Sequence, residues 1–184
     1  NHVSVMTDFL ANLDDSEIDL KSEFPTLVES QDKKKWNLDK EVFIALEKLK
    51  LAIDSLNTKL YKELYIICLS KILLDYSNLY RNGKCLSYKK NWQEKRYSQE
   101  DVINSFFRFI KEIIVDDIKE QPSNTFSNNP LLYRGDSRKL IFEKVANNSV
   151  DLIITSPPYL NSRDYTDSYM LELKALDFFK NYND

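Results

Sequence analysis

The sequence predicts an α/β protein: a helical region over residues 1–120, a linker at 121–130, and a strand–helix–strand segment over 131–184. Three observations carry this reading. Apolar residues between Asn37 and Lys119 recur at three- and four-residue spacing, the period of helices buried along one side. Gln121 to Pro130 reads Gln-Pro-Ser-Asn-Thr-Phe-Ser-Asn-Asn-Pro, a composition of turn formers that marks a boundary. Val150 to Ile154 is mostly β-branched or apolar, as in a strand covered on both faces of a parallel sheet.

The helices follow in order. Asn37 is a candidate cap for a helix carrying Leu38, Val42, Ala45, Leu46, Leu49 and Ile53 on one side. A second is expected from Thr58 to Tyr80, with Leu60, Leu64, Ile67, Cys68, Ile72 and Leu79 on its apolar side, stopping at Asn82-Gly83. Ser98 and Asp101 have capping-box spacing for a third, Gln99 to Lys119, whose Ile103, Phe106, Phe107, Ile110, Ile113 and Ile114 form one broad stripe. Phenylalanine at that spacing belongs to a core rather than to a cofactor. After the linker, Leu131 to Tyr133 is expected as a strand, Ser137 to Ala146 as a crossover helix and Val150 to Thr155 as the next parallel strand.

The last of these strands runs straight into Ser156-Pro157-Pro158-Tyr159. Each proline fixes φ and lacks an N–H, and Pro158 pushes Pro157 towards an extended conformation, so the chain leaves the strand as a stiff loop. Ligands of open α/β sheets bind at that carboxyl edge. About twenty residues upstream lies Gly135-Asp136-Ser137-Arg138-Lys139-Leu140, and downstream Leu160-Asn161-Ser162-Arg163-Asp164-Tyr165-Thr166-Asp167-Ser168-Tyr169 leads into a helical Met170-Leu171-Glu172-Leu173-Lys174-Ala175-Leu176.

This constellation resembles the catalytic segment of amino-group DNA methyltransferases, which methylate the exocyclic amine of cytosine or adenine and use S-adenosylmethionine. Their motif reads Asp, Asn or Ser, then Pro-Pro, then an aromatic. The likeness covers Tyr133 to Leu176, about a quarter of the chain, and implies a Rossmann-like methyltransferase sheet of which this is one part. By resemblance Ser156 Oγ and the Pro157 carbonyl accept the hydrogens of the target amine, Pro158 holds the loop rigid, and Tyr159 stacks on the flipped-out base. An aromatic face there offsets roughly 1–3 kcal/mol of lost stacking. Asp136 and Thr155 are the implied cofactor contacts, although Asp136 is equally suited to cap the helix that begins at Ser137. Arg163, Tyr165 and Tyr169 are placed at the base pocket or DNA backbone, with an Arg163–Asp167 surface pair as the alternative. A strand ending in Pro-Pro is also compatible with an ordinary loop exit.

The chain has only two glycines, Gly83 and Gly135, so the glycine-rich turn that cradles the methionine moiety of the cofactor in these enzymes is not among its residues. The expectation is a fragment of a longer enzyme, with the missing part largely upstream, no methyl transfer by the fragment itself, and the remainder of the enzyme as a partner.

Net charge is −3, yet its distribution is uneven. Eight acids against Lys21 occupy the first 32 residues, whereas Arg81, Lys84, Lys89, Lys90, Lys95 and Arg96 face only Glu94 between Arg81 and Ser98, interleaved with Tyr88, Trp92 and Tyr97. That pattern suits a phosphate-tracking surface, with Lys89 and Lys90 as DNA contacts, or else a solvated connector whose aromatics pack inward. Cys68 and Cys85 have no metal-ligand spacing, and no metal is expected. The longest apolar run, Leu64 to Leu69, is far too short for a bilayer, and the expected location is cytoplasmic.

The expected activity is methylation of double-stranded DNA, with cytosine N4 favoured by Ser156, adenine N6 as the alternative, and a role in restriction-modification. A helical interaction module with an inert catalytic segment, and an RNA-modifying enzyme, are the other classes.

Overall fold

The computed structural model describes residues 2–83, 85–120, 131–156 and 166–179. It is a mixed α/β structure, mostly helical, with one two-stranded antiparallel sheet among those residues. The chain divides into two compact units, Asn1–Ile118 with Arg163–Asp184, and Lys119–Ser162. The linker expected at 121–130 lies outside the described residues.

The first unit is built around α2 (Lys40–Asp54), which buries Val42, Phe43, Ile44, Ala45, Leu46, Leu49, Ala52 and Ile53. Its residues are buried nearly all round because it has neighbours on several sides. These are α1 (His2–Ala11), which contributes Met6, α3 (Lys59–Tyr76) and α4 (Gln99–Phe109). The expected stripe from Leu38 to Ile53 is entirely in the core. On α4 the reciprocal Ser98–Asp101 capping box forms, and Val102 and Phe106 are buried. The helix continues through a π-helical segment, Ile110–Ile114, into α5 (Val115–Glu120).

Two expectations for this unit are corrected. On α3, Cys68 and Ile72 are buried but Leu60 and Ile67 are 69% and 65% exposed. Apolar residues are spread around this helix between its charged ones, so spacing alone did not choose its inner face; Tyr65, Leu69 and Leu73 occupy it with Cys68 and Ile72. Nor does α3 continue to Tyr80. The chain instead forms a hairpin, β1 (Leu79–Arg81) and β2 (Leu86–Tyr88), with Leu79 opposite Tyr88 and Arg81 opposite Leu86. Asn82-Gly83 begins its turn, Gly83 having φ +85°, which is open to glycine at no steric cost.

A buried polar knot ties these pieces together. Asp39, at the N-cap of α2, is 4% exposed, accepts hydrogen bonds from Trp36 Nε1 at 2.7 Å and Asn78 Nδ2 at 3.0 Å, and forms an ion pair with Arg96 Nη1 at 2.8 Å. Removing the carboxylate leaves Trp36 Nε1 without its acceptor and takes one of two partners from Asn78 and from Arg96, which keep the Trp36 carbonyl and Glu29. Asp39→Ala is therefore expected to cost about 2–4 kcal/mol of unfolding free energy in a urea titration, with Asp39→Asn costing less.

The final helix of the described chain, α7 (Thr166–Ala175), also belongs to this unit and lies against α3 and β2. Leu171, Ala175 and Leu176 join the core.

The second unit is different in kind. Its one described helix besides the end of α5 is α6 (Ser137–Lys144), shorter than the expected 137–146 and capped by Asp136. None of the residues 131–156 is buried. The strands expected at Leu131–Tyr133 and Val150–Thr155 do not form, and no Rossmann-like sheet exists among the described residues. The physical reason lies in the side chains. Leu132, Leu152, Ile153 and Ile154 are 97%, 75%, 68% and 88% exposed, and a parallel strand gains its stability from neighbours that satisfy its backbone and cover both faces. No described residue supplies that cover.

Candidate functional site

Of the expected catalytic residues, Ser156 is described: it is exposed, at the end of an irregular segment that begins near Val150. Thr155 beside it is exposed too. Pro157, Pro158, Tyr159, Arg163 and Tyr165 lie outside the described residues. Upstream in the same unit, Gly135 has φ +154°, and a Cβ built on it would stand 2.9 Å from Leu140 Cδ1, so the turn into α6 is made for glycine. Asp136 then accepts from the backbone N of Arg138 at 3.0 Å, and its two oxygens take Arg138 Nε at 3.0 Å and Nη2 at 2.8 Å. Those bonds hold its carboxyl below the ordinary aspartate value. Capping is thus what Asp136 does in this conformation.

The helical unit carries the remaining expected residues. Tyr169 stands on α7, half exposed, with the Arg81 guanidinium over its ring at 4.7 Å. Arg81 Nε also donates to the Ser168 carbonyl at 3.0 Å, and its Nη2 pairs with Glu172 Oε1. Glu172 is only 7% exposed, and its second oxygen has no hydrogen-bond partner among the described residues. One side chain on the hairpin therefore grips three positions on α7. Sequence reasoning counted Arg81 only as part of a basic run; its partner was hidden because Glu172 is ninety-one residues away.

Lys89 has a structural task that its place in a basic run does not reveal. Its Nζ donates to the carbonyls of Leu74 at 3.2 Å, Asp75 at 2.9 Å and Ser77 at 2.6 Å, closing the C-terminal end of α3. Burial pulls its ammonium below the ordinary lysine value. Lys90 next to it is exposed and makes no ion pair among the described residues. Trp92 is 7% exposed, packed edge-on against Trp36 at 4.9 Å and tilted against Tyr88 at 5.3 Å. Its indole is packed into this aromatic cluster.

No family model matches this chain, and no curated protein or solved structure matches it either. Among the described residues, no helix is long and apolar enough to cross a membrane.

Proposed function

We propose that this chain is part of an S-adenosylmethionine-dependent DNA methyltransferase acting on an exocyclic amine, cytosine N4 in preference to adenine N6, in a restriction-modification setting. One observation carries the reading. The apolar segment that leads into Ser156-Pro157-Pro158-Tyr159 is exposed and unpaired, in a unit with no buried residue between 131 and 156. A glycine turn and a capped helix precede it, as in a strand–helix–strand series. Such a segment is suited to completing a parallel Rossmann-like sheet whose other strands, and whose glycine-rich cofactor turn, come from polypeptide outside these 184 residues.

The chemistry asked of this chain is limited and specific. An exocyclic amine is a poor nucleophile because its lone pair is delocalised into the ring. Ser156 Oγ and the Pro157 carbonyl would accept its two hydrogens and favour the pyramidal nitrogen, a preorganised arrangement that acts on the transition state. Tyr159 would hold the flipped base by stacking. S-adenosylmethionine supplies the electrophilic methyl group. Asp136 and Thr155 are the residues of this chain assigned to its site, and engaging Asp136 requires it to exchange its Arg138 contact. Two glycines are too few to build the rest.

The test is chemical. DNA incubated with the full-length protein that carries this chain and with S-adenosylmethionine is digested to nucleosides and weighed by mass spectrometry. N4-methylcytosine is the expected product; N6-methyladenine would move the assignment to adenine, and neither nucleoside would remove it. A second reading, an interaction module with an inert catalytic segment, is favoured by the helical unit having a complete core of its own. The same absence of product would select it.

A further inference from the structure

The fold brings together two basic runs that the sequence keeps apart. Lys33-Lys34-Lys35 precedes Trp36, while Lys89, Lys90, Lys95 and Arg96 surround Trp92. Trp36 and Trp92 meet at 4.9 Å, Lys35 Nζ lies over the Tyr88 ring at 5.3 Å, and the Arg96 guanidinium lies over Trp36 at 5.6 Å. Tyr88 OH donates to Asn37 Oδ1 at 3.1 Å and pins the two segments. Residues 33–40 and 88–97 together hold eight cations against two acids, in a chain whose net charge is −3. One of those acids, Asp39, is buried and paired with Arg96, which also pairs with Glu29 outside the two runs.

The cations divide by what they already do. Lys89 is spent on the end of α3, and Arg96 on Glu29 and Asp39. Lys34, Lys35, Lys90 and Lys95 are exposed and make no ion pair among the described residues. Lys89 is lowered chiefly by burial, with the charge of Asp75 opposing that shift and the charge of Lys95 adding a smaller push in the same direction as burial. Lys35 and Lys95 lie over the Tyr88 and Tyr97 rings, and the four ammonium groups form a point-charge surface without the planar forks that read base edges. With Trp92 buried, bases have no face of that indole to stack on.

We infer that Lys34, Lys35, Lys90 and Lys95 form a docking surface for the phosphate backbone of duplex DNA, independent of base sequence. The choice of DNA rests on the proposed function; the charge surface does not. Its role is to hold the duplex while the catalytic segment selects the base, with phosphate contacts positioning and base contacts specifying.

The experiment uses the full-length protein and a duplex of about 30 base pairs of arbitrary sequence, with affinity followed by fluorescence anisotropy as salt rises from about 50 to 200 mM. Each phosphate neutralised contributes about −0.9 to the slope of log affinity against log salt, so four contacts give about −3.6. Substituting all four lysines by glutamine is expected to lower affinity at low salt at least about tenfold and flatten the slope by about three to four. A control with Lys59→Gln, Lys71→Gln, Lys111→Gln and Lys144→Gln, all exposed and outside the patch, keeps the native affinity and slope. A lysine-to-arginine version of the patch keeps the charge and is expected to bind as wild type, which separates lost charge from lost fold. Unchanged affinity and slope in the glutamine patch variant, equal loss in the control, or no duplex binding by the wild type would each overturn the inference. Methyl transfer is not read, so a protein that binds through this patch without methylating would defeat the catalytic proposal and leave this one standing.

Discussion

Arg81→Ala is expected to loosen α7 on the helical unit. The substitution removes the only described partner of a Glu172 carboxylate that is 7% exposed and whose other oxygen already lacks one. An unpaired charge cannot stay in that position without a desolvation cost. Breaking a fully buried pair costs about 3–5 kcal/mol, and since the Arg81 head is partly exposed the expected loss is about 2–3 kcal/mol. Urea unfolding reads the total. Amide exchange reads the place: protection should fall first along Thr166–Ala175, where Arg81 also holds the Ser168 carbonyl and the Tyr169 ring. Adding Glu172→Leu should restore most of the loss, because the stranded charge has gone. An Arg81→Ala protein with native stability and native α7 protection would contradict the clamp.

Ser156→Ala carries the other large effect, on rate instead of stability. In the full-length enzyme it should lower methyl transfer by on the order of 10²-fold, the size associated with losing one preorganised hydrogen-bonding group at a reacting centre. Tyr159→Ala should lose a comparable amount through weaker capture of the flipped base. Ser156 is exposed, so the unfolding free energy of its variant should stay within about 0.5 kcal/mol of wild type. Methyl transfer at the native rate in both variants would strip these residues of their role.

What could be seen in the sequence depended on whether a signal was local. The Ser98–Asp101 box formed as expected because a cap needs only its own first turn. The stripe on α2 was legible from its spacing, but Phe43, Ile44 and Ala52 outside it are buried as well, because that helix has neighbours on several sides. On α3 the same spacing points to Leu60 and Ile67, which are exposed, because apolar residues spread around a helix present little contrast to read. The hairpin was hidden by brevity: three residues per strand carry too little alternation, and Asn82-Gly83 ends a helix as readily as it turns a hairpin. Lys89 shows a further limit, since composition does not distinguish a free cation from one closing a helix end. The segment at Val150–Thr155 has the residues of a buried strand and, among the described residues, none of the neighbours that would make it one. That mismatch between strand-forming side chains and full exposure is what directs attention beyond these residues.

The most direct measurement follows tritium from methyl-labelled S-adenosylmethionine into duplex DNA, with full-length wild-type protein and Ser156→Ala side by side. The account predicts label in DNA for the wild type and a loss on the order of a hundredfold for the variant, with both proteins folded and both binding duplex. Equal incorporation by the two, or none by a folded, DNA-binding wild type, would contradict it.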